Sequence, residues 1–135
     1  MQDRIRRLDE LVDISIDFRP CKDYEQIVFT GHLVYNTNAK TKSLLHNQST
    51  TVRGTILDLS KIQNIDSTGF GVLVNLSKEA KQQNRKLAVV VTDPFIDQLF
   101  QISKVYLLFP VVDSPEKALQ ILDQGYVPTL SPEQY

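Results

Sequence analysis

The sequence of 135 residues has few of the side chains that chemical sites most often need. It contains one cysteine, Cys21, two histidines, His32 and His46, and no tryptophan. A single cysteine cannot form a disulfide within the chain, and so few thiol and imidazole ligands argue against a zinc site. The sequence also lacks the glycine-rich loops that bind nucleotide phosphates. We therefore expect no metal and no cofactor.

The chain also lacks a charge excess and a long apolar run. Its 15 Lys and Arg against 16 Asp and Glu leave a net charge of −1, which gives no field to attract nucleic acid or an anionic membrane. The longest apolar runs, 87–91 and 106–112, are far shorter than the ~20 residues that cross a bilayer. The first ten residues do not resemble a secretory signal. We expect a cytoplasmic protein with no direct nucleic-acid partner and no membrane insertion.

The remaining composition is that of one globular domain. Hydrophobic residues make up 41% and charged residues 23%, and this length is enough for a single core. We expect an N-terminal extension over 1–12, a domain over 13–124 and a loose tail over 125–135. In the extension, a weak apolar stripe at helical spacing could pack on the domain or mediate a homodimer, and both interpretations stay open. The stripe consists of Ile5, Leu8, Leu11 and Val12.

Within the domain, strand patterns alternate with helix patterns after an initial hairpin with its turn at 19–23. This order predicts an α/β fold with a mixed, mostly parallel sheet of about five strands and four or five packed helices. Pro110 cannot donate a ladder hydrogen bond, so the last strand should lie at an edge. The predicted strands are 13–18, 26–31, 55–59, 87–91 and 107–112, and the predicted helices begin near Asn36, Ser67, Pro94 and Pro115 and end near Gln48, Asn84, Ile102 and Gln124.

One segment places a hydroxyl group where a buried strand gives way to a helix. It reads Asp66-Ser67-Thr68-Gly69. The free N–H groups of a first helical turn would stabilise a phosphate on Ser67, whereas Asp66 would repel it. Because these effects oppose one another within the domain, phosphorylation should act mainly on the binding of a partner rather than on folding. The alternative interpretation is a simple helix cap, with a side chain accepting from first-turn amides.

Together with Leu57-Asp58-Leu59, the segment Ile65-Asp66-Ser67-Thr68-Gly69-Phe70-Gly71 resembles the signature of STAS domains, in particular bacterial anti-sigma-factor antagonists. The resemblance covers roughly residues 13–123. Four further parts of the sequence match the family in order and spacing: 28–33, Thr37, 86–94 and 113–119.

The resemblance implies a phosphorylation-switched binding module that is not an enzyme. The unphosphorylated protein would bind an anti-sigma factor that is itself a serine kinase, and so release a sigma factor. The kinase would then phosphorylate Ser67, and a metal-dependent serine phosphatase would reverse the modification. The implied partner-binding residues are Asp66, Ser67, Thr68, Gly69 and Gly71, with Gly31 and Thr37 from a neighbouring loop.

The chain departs from the family pattern at Val34, where an aspartate often borders the phosphorylation site. This departure puts recognition by a kinase in question. Two other functions stay open: a scaffold subunit of a stress-signalling complex, and a cytoplasmic accessory subunit of a membrane transporter. Nucleotide binding at the loops around 31–37 and Ser67 is neither supported nor excluded by composition.

Overall fold

The computed structural model describes residues 12–49 and 51–135. Most of the predicted N-terminal stripe, at Ile5, Leu8 and Leu11, lies outside the described residues. Its last member, Val12, is exposed. The proposed domain limits at 12 and 124 stay predictions.

A five-stranded sheet forms the centre of the domain, with its strands in the order β1-β2-β3-β4-β5. The β1 strand runs antiparallel to β2, and the pairs β2–β3, β3–β4 and β4–β5 are parallel. The prediction of a mixed, mostly parallel sheet is therefore confirmed. The strands are β1 (Ile14–Cys21), β2 (Tyr24–Leu33), β3 (Gly54–Ile65), β4 (Lys86–Val90) and β5 (Val111–Val112).

Four α-helices of the described chain cover the two faces of this sheet. Three of them contribute to one core, through Leu45, Val72 and Phe100, and the fourth packs on the other face through Ala118 and Leu122. The helices are α1 (Asn38–Leu45), which follows a 3₁₀ turn at Tyr35–Thr37, then α2 (Ser67–Gln82), α3 (Pro94–Ser103) and α4 (Pro115–Gln124).

The helix boundaries follow from local chemistry, as the sequence predicts. Asp93 Oδ1 accepts from the main-chain N–H groups of Phe95 (2.8 Å) and Ile96 (3.1 Å) at the start of α3. Ser114 Oγ accepts from the N–H of Lys117 at the start of α4. Beyond α2, the left-handed φ of 54° at Asn84 turns the chain towards β4, a conformation that asparagine tolerates better than most residues.

The strands next to the Ser67 segment are longer than predicted. The β3 strand continues through Ile65 for 12 residues, whereas the apolar pattern ends near 59. Register shifts between β2 and β3 let the two strands pair as far as Leu33 and Ile65, and these hydrogen bonds extend β3 through polar positions. At the other end, the hairpin turn shortens from 19–23 to the two residues between Cys21 and Tyr24.

The last strand is much shorter than the predicted span of 107–112. Val105–Leu107 forms a 3₁₀ turn, and only Val111–Val112 pairs with β4. Pro110 supplies no N–H to a ladder, but its carbonyl accepts from the N–H of Val89 over 2.9 Å, so the hydrogen bonds to β4 begin at Pro110 O. The predicted edge position is confirmed.

The C-terminal residues lie against the domain, so the prediction of a loose tail is wrong. The N–H of Leu130 donates to Leu107 O over 2.9 Å, and the Leu130 side chain packs on the core. Glu133 lies 3.3 Å from Lys81 Nζ, and the Tyr135 hydroxyl donates to a main-chain carbonyl of α3. These contacts involve Lys81 near the C-terminal end of α2, Ser103 at the C-terminal end of α3, and Leu107 in the 3₁₀ turn that follows.

We predict that Phe100→Ala lowers the free energy of unfolding by about 3–5 kcal/mol, because it leaves a cavity in the core. Phe100 is fully buried, and its ring meets that of Phe70 edge-on with centroids 5.0 Å apart. The matched control is Phe95→Ala on the same helix, where the side chain is 61% exposed; it should change stability by less than about 0.5 kcal/mol. If urea denaturation shows that the two variants lose the same free energy of unfolding, the assignment of Phe100 to the core is contradicted.

Candidate functional site

The carboxylate of Asp66 joins two segments at the carboxyl end of the sheet. Asp66 Oδ1 accepts from the N–H of Gly69 in the first turn of α2, and Oδ2 accepts from the N–H of Tyr35, both over 3.0 Å. The Asp66 N–H also donates to Leu33 O over 3.4 Å. A capping aspartate thus satisfies one free amide of its helix and one of the loop after β2. The loop is held beside the helix that carries Ser67.

Ser67 is the first residue of α2, and its side chain is exposed. The helix behind it has 16 residues, and its macrodipole puts partial positive charge at this end. The neighbouring Asp66 uses both carboxylate oxygens as acceptors from main-chain N–H groups, which is a structural role. The site can therefore present a hydroxyl to another protein's catalytic group.

The two glycines of the first helical turns have different surroundings. A Cβ on Gly69 would lie 2.1 Å from Leu33 O and 2.7 Å from the Ile65 side chain, so only glycine allows this close approach of α2 to β2. A Cβ on Gly71 would meet nothing within 4 Å. The backbone that closely approaches Gly69 belongs to the chain itself, whereas the surface beside Gly71 is open to solvent.

The other sequence-predicted site residues shape the loop from within. Thr37 is 3% exposed; its Oγ1 donates to His32 O over 2.7 Å and accepts from the N–H of Val34. Gly31 has a φ of 106°, and a Cβ there would lie 2.4 Å from Asp13 O. Thr68 is half-buried. Gly31 and Thr37 can therefore influence a partner through the loop conformation.

Tyr35 is the site residue that sequence reasoning missed. Its side chain is 73% exposed although the hydrogen bond to Asp66 fixes its backbone. The available signal was a large aromatic residue in a predicted loop next to the site. A tyrosine held in this way can bind a partner at a small cost in conformational entropy.

A second contact anchors the start of β1 near this loop. Lys40 Nζ, on α1, lies 2.7 Å from Asp13 Oδ1. The hydrogen bond from Lys40 holds the pKa of the Asp13 carboxyl below its usual value. Both side chains are about half exposed, so we assign this pair an orienting role.

Away from the Ser67 segment, the described residues that could bind a metal or take part in catalysis do not form a second site. Within 12–49 and 51–135, no group of three or more His, Cys, Asp or Glu side chains is arranged to hold a metal ion. None of the described helices is both long and apolar enough to span a bilayer. Asp58 is buried and accepts from Gln26 Nε2 and from the N–H of Ser60.

Comparison with known proteins assigns the family. The STAS domain profile matches residues 25–118. The chain belongs to the STAS domain family. This match contains β3, the Asp66–Gly71 segment and most of the sheet, and it confirms the resemblance seen in the sequence.

Two curated relatives match part of this STAS chain. BtrV of Bordetella bronchiseptica, named as a candidate anti-sigma factor antagonist, is 32% identical over 66 residues, 49% of this chain and 57% of BtrV. The anti-sigma F factor antagonist of Paenibacillus polymyxa is 29% identical over 68 residues, 50% of this chain and 58% of that protein. The chain thus spans less than two thirds of either relative.

Solved structures share the fold. The crystal structure of an anti-sigma factor antagonist from Mycobacterium paratuberculosis superimposes with a TM-score of 0.70 at 15% identity. The superposition covers 79% of this chain and 92% of that one. At this identity the likeness establishes the STAS fold.

We predict opposite effects for alanine at the two glycines. Gly69→Ala should lower the free energy of unfolding by about 1–3 kcal/mol or more, because its methyl group collides with Leu33 O. Gly71→Ala should raise it by up to about 1 kcal/mol, because alanine is the better helix former and the site is open. Urea denaturation of both variants measures this difference. A Gly69→Ala protein as stable as wild type would contradict the close approach.

Proposed function

We propose that this STAS protein is an anti-sigma factor antagonist whose binding is switched by phosphorylation of Ser67. The observation that carries the proposal is the exposed Ser67 hydroxyl at the start of α2, beside an aspartate whose oxygens are both engaged. Family membership and the names of the two partial relatives support the same function. The proposed partner in the cytoplasm is an anti-sigma factor with serine kinase activity.

The proposed modification needs no catalytic group from this chain. The kinase forms a bond between Ser67 Oγ and the γ-phosphorus of ATP, while the bond from that phosphorus to the bridging oxygen breaks and ADP leaves. The hydroxyl proton passes to a base of the kinase. A metal-dependent serine phosphatase then hydrolyses the phosphoester with water and restores the hydroxyl.

The charge of the phosphate explains why binding would change more than folding. A phosphoserine adds about −1.5 to −2 charge at pH 7. The N-terminus of α2 favours that charge and the Asp66 carboxylate opposes it, so the two effects on the domain offset one another. A partner packed on the exposed hydroxyl has no such compensation and would be repelled.

The residue at position 34 changes how a kinase would recognise this site. Val34 is half-buried and uncharged, so the loop offers no carboxylate there. Tyr35 and Asn36, both exposed, are the side chains that the loop presents beside Ser67. We therefore propose recognition through an aromatic contact next to the hydroxyl.

We predict that Ser67→Ala binds the partner as wild type does and resists phosphorylation, whereas Ser67→Asp weakens binding by at least about tenfold through charge repulsion. Calorimetric titration against each purified anti-sigma factor kinase of the source genome measures both. Gln82→Asp is the matched control, since it adds the same charge at the far end of α2. Tight binding by Ser67→Asp would refute the charge switch.

Phosphorylation in the cell provides a separate test. Peptide mass spectrometry on the chain isolated from its own growing and stressed cells should find phosphate on Ser67, with an occupancy that depends on the condition. If Ser67 carries no phosphate under any condition, the phosphorylation switch is wrong, and the protein would instead be a constitutive binding module.

One observation favours a second function, a scaffold subunit of a stress-signalling complex. Phe95 and Ile102 lie on one face of α3 and are 61% and 77% exposed, an apolar pair that assembly would cover. Light scattering distinguishes the two functions: an antagonist should be a monomer or a homodimer, and a scaffold subunit should form a large particle.

A further inference from the structure

A cavity lies between the C-terminal half of α2 and the C-terminal segment of the chain. We call it the C-terminal cavity. Its walls come from α2, from 84–87 at the start of β4, from 108–110, from Leu122 of α4 and from 126–132. It encloses about 400 Å³, within the range of about 300–1,000 Å³ that small-molecule sites occupy. It shares no residue with the candidate site around Ser67.

Part of the lining of the C-terminal cavity is apolar. Phe109 and Leu122 line it and are at most 2% exposed. Leu87, Tyr126 and Leu130 line it as well and are only half-buried, so apolar surface remains for a ligand to cover. Removing that surface from water favours binding.

The charged part of the lining carries one sign. Lys81, Arg85 and Lys86 line the C-terminal cavity, and among the described residues no Asp or Glu lines it. The chain as a whole has 15 basic and 16 acidic residues, so the lining is far more basic than the rest of the protein. Cations gathered around a partly apolar space attract an anion.

Arg85 has hydrogen-bonding capacity that the fold does not use. Its Nη1 donates to Ser49 O over 3.0 Å, whereas its Nε–H is buried and has no acceptor among the described residues. A guanidinium has five N–H donors, and buried donors are normally paired. Because Arg85 lines the cavity, an anionic oxygen bound there would give this guanidinium a charge-assisted hydrogen bond.

The two lysines of the lining differ in how firmly they are engaged. Lys86 Nζ donates to Leu122 O over 2.7 Å, close to the end of α4, which is a structural role. Lys81 Nζ lies 3.3 Å from Glu133, and both side chains are about half exposed. Exposed pairs of this kind are weak, so Lys81 can exchange Glu133 for another anion. Arg85 and Lys81 are therefore the cations available to a ligand.

The wall that the C-terminal segment contributes is held in place without a ligand. The N–H of Leu130 donates to Leu107 O over 2.9 Å. Pro128 and Pro132, which also line the cavity, restrict the backbone on either side of Leu130. A cavity that is formed in advance costs less to fill, because little chain has to be ordered on binding.

We propose that the C-terminal cavity binds a small amphipathic anion. Its anionic head would contact Arg85 and Lys81, and its apolar body would lie against Leu87 and Leu130. The chemical class is a carboxylate, sulfonate or phosphate that carries an aliphatic or aromatic group. This binding is separate from the proposed function at Ser67 and does not depend on it.

The first test uses anilinonaphthalene sulfonate, an aromatic sulfonate whose fluorescence rises in apolar surroundings. It should bind the full folded chain at one saturable site. Decanoate should displace it, whereas decyltrimethylammonium, a cation with an alkyl chain of the same length, should not. Absence of saturable binding, or equal displacement by the two alkyl ions, would show adventitious binding to apolar surface only and overturn the proposal.

Two variants test whether the C-terminal cavity is the binding site. Arg85→Met removes the guanidinium, and Ser77→Leu fills the cavity from α2 at a lining position that is 7% exposed. Each should weaken binding of the sulfonate and of decanoate by at least about tenfold. The matched control is Lys78→Met, which removes an exposed cation from the same helix outside the cavity. It should bind within about twofold of wild type.

The melting temperature of each variant is measured alongside its binding. If Arg85→Met or Ser77→Leu melts well below wild type, the more exposed Lys81→Met replaces it, with an expected loss of at least about threefold. Wild-type affinity in the folded cavity variants would overturn the proposal. An equal loss in Lys78→Met would show a general charge effect and would overturn it too.

Discussion

The bridging carboxylate of Asp66 is the interaction on which the candidate site depends. One oxygen caps α2 through Gly69, and the other holds the loop after β2 through Tyr35. Capping side chains typically contribute about 0.5–2 kcal/mol, but here the second bond also fixes the neighbouring segment. The distance between Ser67 and the loop is therefore set by the chain itself before any partner binds.

The close contact at Gly69 makes this bridge possible. Because Gly69 has no side chain, the first turn of α2 lies directly on the carbonyl of Leu33, and the Asp66 carboxylate then reaches amides on both sides. The remaining helices leave this surface open. The α4 helix packs on the opposite face of the sheet, and the C-terminal residues contact α2 and α3 at their far ends. The contacts made by α4 and by the C-terminal residues therefore leave Ser67 exposed.

Strand and helix order was predictable because each element carries its own pattern. The apolar run at 87–91 fixed a buried strand, and the Asp93-Pro94 pair fixed a helix start through purely local hydrogen bonds. Contacts between segments that are far apart in the sequence were harder to predict. The extension of β3 to Ile65 depends on β2, and the packing of Leu130 depends on a surface made by distant residues. Neither leaves a periodic signal in its own segment.

The sequence by itself determined the family, the α/β order of elements, and the serine at the start of a helix, because a motif and local periodicities carry that information. Tertiary structure alone decided that Thr37 is buried and that Tyr35 is exposed on a fixed backbone. These properties arise where segments far apart in sequence meet. Their contacts depend on the packing of the whole sheet, which no single segment encodes.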